Sequence, residues 1–299
     1  MNPPSANPLS GVWLPIVTPF RDGAVDLESY RRLLAFYVDK GLSGIMPLGT
    51  TGEVPTLEDD EAEAIVETTV RELGGRLPVY VGVGGNATHK VLRTLKRLER
   101  YPFAGILSVC PYYNRPSDEG MVEHFTRIAG ATDRNVVIYN ITYRTGVNLS
   151  NDAVLGLSRV PNIIGIKDCS GNFAQTTDLL SRKPAGFSVM TGEDALFFTT
   201  LALGGDGGIL ASAHCRPEVF AEIHRRMQAN DHQGARQLWA GIEPVTRMLF
   251  REPNPMPLKH YLWRKGLIAS PECRLPLTKV SDSLAGVMER EWRVLADPA

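Results

Sequence analysis

Short apolar runs alternate with amphipathic stretches along most of the chain, between residues 12 and 229. Apolar runs of this length, bounded by turn residues, are typical of buried strands. Eight of them follow one another in chain order: 12–17, 44–48, 78–83, 105–110, 136–139, 163–167, 187–190 and 207–210. Because each run is followed by residues with helical spacing, the pattern predicts eight strand–helix units.

Two of the predicted helices carry start and stop signals. Asp26 is expected to cap the first helix, and Gly41 is expected to end it. Thr56 is expected to cap the next helix, where the acids 58–61 favour the positive end of the helix dipole.

Repeated strand–helix units predict a parallel sheet, most economically closed as a (β/α)8 or TIM barrel. A doubly wound open sheet built from the same elements is the alternative. We predict that residues 1–230 form the barrel, with a flexible amino-terminal tail in place of a signal peptide. Residues 231–299 are expected to form a C-terminal helical domain.

Composition and charge exclude several classes of protein. Of the 299 residues, 43% are hydrophobic and 22% are charged, which is typical of a globular protein. The net charge of −1 provides no basic field for nucleic acid or for a membrane surface. The four cysteines lie far apart, so we expect reduced thiols, no metal site and a cytoplasmic location.

One motif resembles a dinucleotide site. Gly82, Gly84 and Ala87 have the spacing G-x-G-x-x-A between a predicted strand and a predicted helix. Such a site needs an acid near the end of the next strand to hold the ribose, and "SVCPYYN" contains none there. A tight barrel loop is the better interpretation.

Reactive residues follow the predicted strands, where a barrel carries its chemistry. Lys167 directly follows the apolar run 163–166, although lysine is seldom buried unless it is paired. A desolvated lysine loses its proton more readily and can attack a ketone to form a Schiff base. The alternatives are a lysine that extends into solvent and one paired with Asp168.

Neighbouring strand ends supply groups that suit a small 2-oxo acid. Tyr139 ends the strand before Lys167 and could relay protons, unless it is a core tyrosine. Thr50 and Thr51 lie in a glycine-flanked turn whose N–H and hydroxyl groups suit a carboxylate, and Arg144 could bind a second carboxylate. Individually these features are weak, but together they indicate an enzyme that handles a 2-oxo acid.

The chain resembles the dihydrodipicolinate synthase/N-acetylneuraminate lyase family of pyruvate-dependent lyases. The resemblance covers nearly the whole chain and rests on these motifs in order: "PIVTPF", "GTTGE", "PYYNRPS", "YN…RTG", "GIKDCSG", "TGED" and "EPNPMPLK". It implies a barrel enzyme that condenses pyruvate with L-aspartate 4-semialdehyde, without a metal or an organic cofactor. Family members of this kind are usually tetramers built as dimers of dimers, so a homotetramer is expected.

The resemblance also implies a role for each site residue. Lys167 would form the Schiff base, and Thr50, Tyr139 and Tyr113 would form a proton relay, with Tyr113 entering the site of the neighbouring subunit. The remaining implied roles are pyruvate carboxylate binding by Thr51, aldehyde carboxylate binding by Arg144, and pocket lining by Gly192 and Ile209.

The chain departs from the family pattern in two places. Thr142 replaces a usual proline and the bulky Tyr143 precedes Arg144, which affects the space for the second substrate. Regulated members carry polar ligands for inhibitory lysine on two loops. This chain keeps Asn86 and Tyr112 there, but has Val54, Pro55, Asp59, Ala62 and, where an acid is expected, Lys90. We therefore predict weak or absent inhibition by lysine.

Two other functions stay open from the sequence. The same Schiff base could serve an aldolase or dehydratase of the family that acts on a 2-keto-3-deoxy sugar acid, sialic acid or a hydroxyproline-derived substrate. A barrel that only senses 2-oxo acids is the third hypothesis, and a nucleophilic lysine argues against it. Cys110 and Cys169, near the strand ends, are interpreted as packing residues.

Overall fold

The computed structural model describes residues 9–291. Its strands, in chain order, are β1 (Gly11–Leu14), β2 (Phe20–Arg21), β3 (Ala24–Val25), β4 (Gly44–Ile45), β5 (Tyr80–Gly82), β6 (Gly105–Val109), β7 (Asn135–Ile141), β8 (Ile163–Cys169), β9 (Ser188–Thr191) and β10 (Gly207–Ile209). Its helices are α1 (Leu27–Tyr37), α2 (Asp59–Leu73), α3 (Thr88–Leu98), α4 (Asp118–Ala129), α5 (Thr142–Thr145), α6 (Asn151–Leu157), α7 (Phe173–Arg182), α8 (Phe197–Ala202), α9 (Pro217–Gln228), α10 (His232–Leu249), α11 (Met256–Arg264) and α12 (Asp282–Arg290).

Eight of the strands form one parallel sheet in the order β4-β1-β10-β9-β8-β7-β6-β5. A parallel bridge between Ile45 and Val79 brings the sheet's two ends together. The fold is therefore the predicted (β/α)8 barrel followed by C-terminal helices, and the open-sheet alternative is wrong. The boundary at residue 230 stays a prediction, and the predicted flexible tail lies outside the described residues.

The chain divides into two compact units. The first holds the described residues up to Gly11 together with 83–100 and 104–209. Its centre is the pairing of β7 with β8, which sets Tyr139 beside Lys167 and Ile141 beside Cys169. Strand β9 continues this register with Met190 beside Lys167, so residues from three strands lie in one row.

The second unit holds residues 12–82, 101–103 and 210 onward. Helices α1 and α2 lie against each other in it, and Tyr30 shares a buried hydrogen bond of 2.7 Å with Thr69 across them. His214 accepts from the backbone N–H of Val17 through Nε2 at 3.3 Å, and Tyr37 donates to the His214 carbonyl at 2.7 Å. These contacts tie the helices to the segment that follows β10.

The helix starts partly confirm the sequence signals. Asp26 caps α1 by accepting from Ser29 N, as predicted. Thr56 does not cap α2, because it ends a short 3-10 turn, Val54–Thr56. Instead Glu58 and Glu61 form a reciprocal capping box at the start of α2.

A small hairpin of β2 and β3 was not predicted. Its two-residue turn is Asp22–Gly23, and both residues have positive φ, at 54° and 81°. Asp-Gly is a strong signal for such a turn. The strands of two residues each are too short to show an alternating pattern, so the turn residues alone carry the signal.

Candidate active site

Lys167 lies within β8, two residues before the strand's last residue, Cys169. It is only 6% exposed, so the lysine is buried as the apolar run before it predicts. Its Nζ atom lies 4.2 Å from the centroid of the Tyr139 ring on β7. The structure therefore brings together the two residues on which the sequence interpretation depends most.

Burial lowers the pKa of Lys167 below its ordinary value of 10.5, since the charged form loses its hydration. Cys169, Asp194 and Glu193 oppose this effect, and Arg144 adds to it. No ion pair to Lys167 Nζ is present in residues 9–291. An uncharged amine in this setting can attack a carbonyl carbon and form an imine.

Asp168, the alternative partner of Lys167, is occupied elsewhere. Its carboxylate accepts from Thr176 Oγ1 at 2.5 Å and from Ser170 N at 2.9 Å. These bonds hold Asp168 within the turn after β8 and leave it no role as the counter-ion of Lys167. The interpretation of Lys167 as half of a salt bridge with Asp168 is wrong.

Gly192 follows β9 and gives the lysine room. Its N–H donates to the Asp168 carbonyl at 2.9 Å. A Cβ atom on Gly192 would lie 2.3 Å from Lys167 Cε and 2.4 Å from Cys169 Sγ, far inside van der Waals contact. A glycine is therefore needed at this position. Ile209, the last residue of β10, is 1% exposed in the same unit.

Arg144 lies in α5, directly after β7. Its guanidinium carbon is 5.6 Å from the centroid of the Tyr143 ring, which is within the range of a cation–π contact between these two exposed side chains. Thr142 donates through Oγ1 to the Ser170 carbonyl at 2.7 Å. The unusual Thr142–Tyr143 pair thus anchors the start of α5 and gives the arginine an aromatic face.

Tyr113 follows β6 and is 89% exposed, which is rare for a tyrosine in a globular protein. Its φ angle is +75°, and its N–H donates to the Thr145 carbonyl at 3.3 Å. This bond ties the loop of Tyr113 to the end of α5.

Thr50 and Thr51 belong to the second unit and lie on the loop after β4. Thr50 is partly exposed, whereas Thr51 is 4% exposed. The carbonyl of Thr50 accepts from the N–H of Glu53, and Asn254 Nδ2 donates to Thr51 Oγ1 at 2.9 Å. Because that bond uses a lone pair of Thr51, its hydroxyl proton is available for an acceptor.

Glu193 was missed by the sequence interpretation, although the motif "TGED" contains it. Burial raises the pKa of its carboxyl group. Its Oε1 atom is buried and has no hydrogen-bond partner among the residues described. The signal that could have found it is its place one residue after Gly192, which touches the lysine.

The cysteines near the strand ends are buried thiols. Burial raises the pKa of Cys110 to about 12 and also raises that of Cys169. Both therefore stay protonated near neutral pH and are poor nucleophiles. Within residues 9–291 there is no group of three or more His, Cys, Asp or Glu side chains that could hold a metal ion.

Comparison with known proteins agrees with the barrel fold. The model of the dihydrodipicolinate synthetase family matches residues 8–290. The 4-hydroxy-tetrahydrodipicolinate synthase 2 of Clostridium acetobutylicum is 50% identical over 276 residues, which cover 92% of this chain and 96% of the relative.

Two solved structures extend the comparison. Dihydrodipicolinate synthase from Aquifex aeolicus is 34% identical with a TM-score of 0.92, covering 97% of this chain and 100% of that one. The chloride-inhibited enzyme of Acinetobacter baumannii, complexed with pyruvate, is 33% identical with a TM-score of 0.92, covering 96% and 98%. The chain belongs to the dihydrodipicolinate synthetase family. In residues 9–291, no helix is long and apolar enough to cross a membrane.

Proposed function

We propose that this chain is a lyase that condenses pyruvate with L-aspartate 4-semialdehyde to 4-hydroxy-tetrahydrodipicolinate, in the synthesis of diaminopimelate and lysine. The observation that carries the proposal is the buried Lys167 amine, with its lowered pKa and without an ion-pair partner in the described chain. Family membership and the relative that carries pyruvate support the choice of substrates.

Lys167 Nζ attacks the C2 carbonyl of pyruvate, and the carbinolamine loses water to give an imine. Loss of a proton from the methyl carbon turns the imine into an enamine, whose carbon attacks the aldehyde of the second substrate. The amine of the second substrate then adds to the imine carbon that was C2 of pyruvate, which closes the ring. Lys167 leaves that carbon as the free amine, so the enzyme returns to its starting state.

Tyr139, Thr50 and Tyr113 move the protons in this scheme. The ring of Tyr139 lies against the lysine, and its hydroxyl protonates the hydroxyl of the carbinolamine, which then leaves as water. The 89% exposure of Tyr113 supports its placement in the site of a second subunit. We propose a homotetramer assembled as a dimer of dimers. Analytical ultracentrifugation tests this, and a monomer at assay concentration contradicts it.

Two positions bind the substrates' carboxylates. Thr51 donates its hydroxyl proton to the pyruvate carboxylate, as its bond from Asn254 allows. Arg144 binds the carboxylate of the semialdehyde through its guanidinium fork, while Gly192 and Ile209 line the pyruvate pocket. The reaction takes place in the cytoplasm, which suits four cysteines of which none is in a disulfide bond.

Borohydride reduction in the presence of pyruvate tests the chemistry. A reduced pyruvyl imine adds about 72 Da, and peptide mapping is expected to place it on Lys167. The Lys167→Met variant is expected to gain no adduct, whereas Lys279→Met, which changes an exposed lysine, keeps it. A wild-type protein that stays unmodified contradicts the proposal and leaves a 2-oxo acid sensor.

The identity of the second substrate, whose carbonyl group the enamine attacks, is tested separately. The bulky Tyr143 beside Arg144 changes the space for the second carboxylate, which favours the wider family of aldolases and dehydratases as the second candidate. Turnover of aspartate semialdehyde is compared with that of 2-keto-3-deoxy sugar acids, sialic acid and hydroxyproline-derived substrates. We expect the largest kcat/KM for the semialdehyde, and a larger value for any other compound selects the second candidate.

A further inference from the structure

A buried ion pair in the second unit is not used by the chemistry above. Lys259 Nζ lies 2.5 Å from Glu53 Oε1, and both side chains have 0% exposure. Charged side chains are seldom fully buried, and a buried pair is retained only when its remaining polar atoms are satisfied. Because the proposed reaction does not use this pair, its presence needs another explanation.

Each member of the pair has further partners. Glu53 Oε2 accepts from the N–H of Arg274 at 3.0 Å. Lys259 Nζ donates to the Glu272 carbonyl at 2.8 Å and lies 4.1 Å from the centroid of the Phe20 ring. The pair is thus fixed from several directions, which makes its position well defined.

Glu53 closes the loop that carries Thr50 and Thr51. Its backbone has φ +53°, a conformation that a residue with a side chain adopts only when its surroundings hold it. Its N–H donates to the Thr50 carbonyl at 3.0 Å. The position of the Glu53 carboxylate therefore helps set the backbone turn on which both threonines lie.

The same C-terminal segment reaches this loop twice. Asn254, just before α11, donates to Thr51 Oγ1, and Lys259, within α11, binds Glu53. Asn254 and Lys259 are five residues apart in the chain, and their partners Thr51 and Glu53 are two residues apart. A shift of α11 or of the loop would break both contacts together.

We propose that Glu53 and Lys259 are positioning residues that hold the Thr50–Thr51 loop on α11, so that the Thr51 hydroxyl is aimed for the carboxylate of the 2-oxo acid. This rests on the proposed function, which assigns that carboxylate to Thr51. Neither residue touches the substrate. Their effect is therefore expected in the affinity for pyruvate more than in the step that joins the two substrates.

The test removes the ammonium group with Lys259→Met, which keeps much of the side chain's length. The matched control is Lys279→Met, since Lys279 is exposed and its one ion pair within residues 9–291 is with Asp282. We expect KM for pyruvate to rise about tenfold or more in Lys259→Met, because a loop that moves loses the aimed hydroxyl. KM for the aldehyde and kcat at saturating pyruvate are expected to change about threefold or less.

A double-mutant cycle separates positioning from a general loss of stability. If Lys259 acts through Thr51, then Lys259→Met in a Thr51→Val background raises the pyruvate KM about twofold or less. Additive effects of the two substitutions overturn the inference. So does a pyruvate KM in Lys259→Met equal to that of Lys279→Met.

Lys259→Met leaves a buried carboxylate without its partner and can prevent folding. The double variant Glu53→Gln, Lys259→Met removes both charges and then carries the test. A raised pyruvate KM in this variant supports the inference, and a wild-type value overturns it. Failure of the proposed function is distinct, because the wild-type protein itself then gives no pyruvate adduct on Lys167.

Discussion

Replacement of Gly192 by alanine gives a strong test of how Lys167 is held. The added Cβ would lie 2.3 Å from Lys167 Cε, whereas carbon atoms in contact are about 3.5–4.0 Å apart. The lysine chain or the turn must therefore move by more than about 1 Å. The turn resists movement, because Gly192 N–H is bonded to the Asp168 carbonyl at 2.9 Å.

The expected magnitude follows from that displacement. Moving a reacting group by about 1 Å costs on the order of 100-fold in rate, equal to about 2.7 kcal/mol in the barrier. Overpacking of a core costs a further ~1–3 kcal/mol in the free energy of unfolding. We therefore expect Gly192→Ala to form the pyruvate imine on Lys167 about 100-fold more slowly than the wild type.

The assay measures borohydride-trapped adduct against time by mass spectrometry, with urea unfolding in parallel. Gly156→Ala is the control, since a Cβ there meets nothing within 4 Å and the helix is expected to gain about 0.5–1 kcal/mol. Cys169→Ala added to Gly192→Ala relieves the contact at sulfur but not at Lys167 Cε, so the rate should stay low. An adduct rate for Gly192→Ala within about threefold of the wild type refutes the reasoning.

Three further predictions concern protonation and regulation. Because burial lowers the pKa of Lys167, the rate of adduct formation should reach its plateau at a lower pH than for an ordinary lysine, and a rate that still rises about tenfold per pH unit at pH 10.5 contradicts this. Burial lowers the pKa of His214 from 6.5 to about 4, so the unfolded chain binds this proton first as the pH falls. The free energy of unfolding should therefore fall by up to about 3 kcal/mol between pH 6.5 and pH 4, and urea titrations of His214→Gln should show a smaller fall. Inhibition by lysine should be weak or absent, because Ala62 and Lys90 replace polar and acidic ligands, and half-maximal inhibition at sub-millimolar lysine contradicts this.

The strands of the barrel could be predicted because a buried parallel strand reads as a continuous apolar run. Thus the run 163–167 corresponds to β8, and 105–110 corresponds to β6. The first residue of a helix was harder to predict, because several residues near a helix start can serve as the cap. Thr56 and Glu58 both precede α2, and the reciprocal bonds of Glu58 with Glu61 decide between them.

In the candidate site, too, some residues could be predicted from the sequence pattern and others only from the folded structure. Lys167 and Tyr139 could be predicted as neighbours, since consecutive parallel strands pair side by side. The contact of Asn254 with Thr51 joins residues 203 positions apart, and no local pattern encodes it. The place of Glu193 after Gly192 can be read from the sequence, but the burial of its Oε1 atom is a property of the folded chain.

The two buried lysines of this fold, Lys167 and Lys259, differ in the groups that surround the amine. Burial acts against the charge of both Lys167 and Lys259. At Lys259 the carboxylate of Glu53, 2.5 Å away, opposes this effect and holds the amine as a fixed structural contact, although burial still lowers the pKa of Lys259. At Lys167 the described chain offers the face of an aromatic ring and no ion pair, so desolvation prevails and the neutral amine is favoured. The ion pair with Glu53 therefore fixes Lys259 as a structural contact, whereas Lys167 has no ion pair in the described chain and its amine stays available to react.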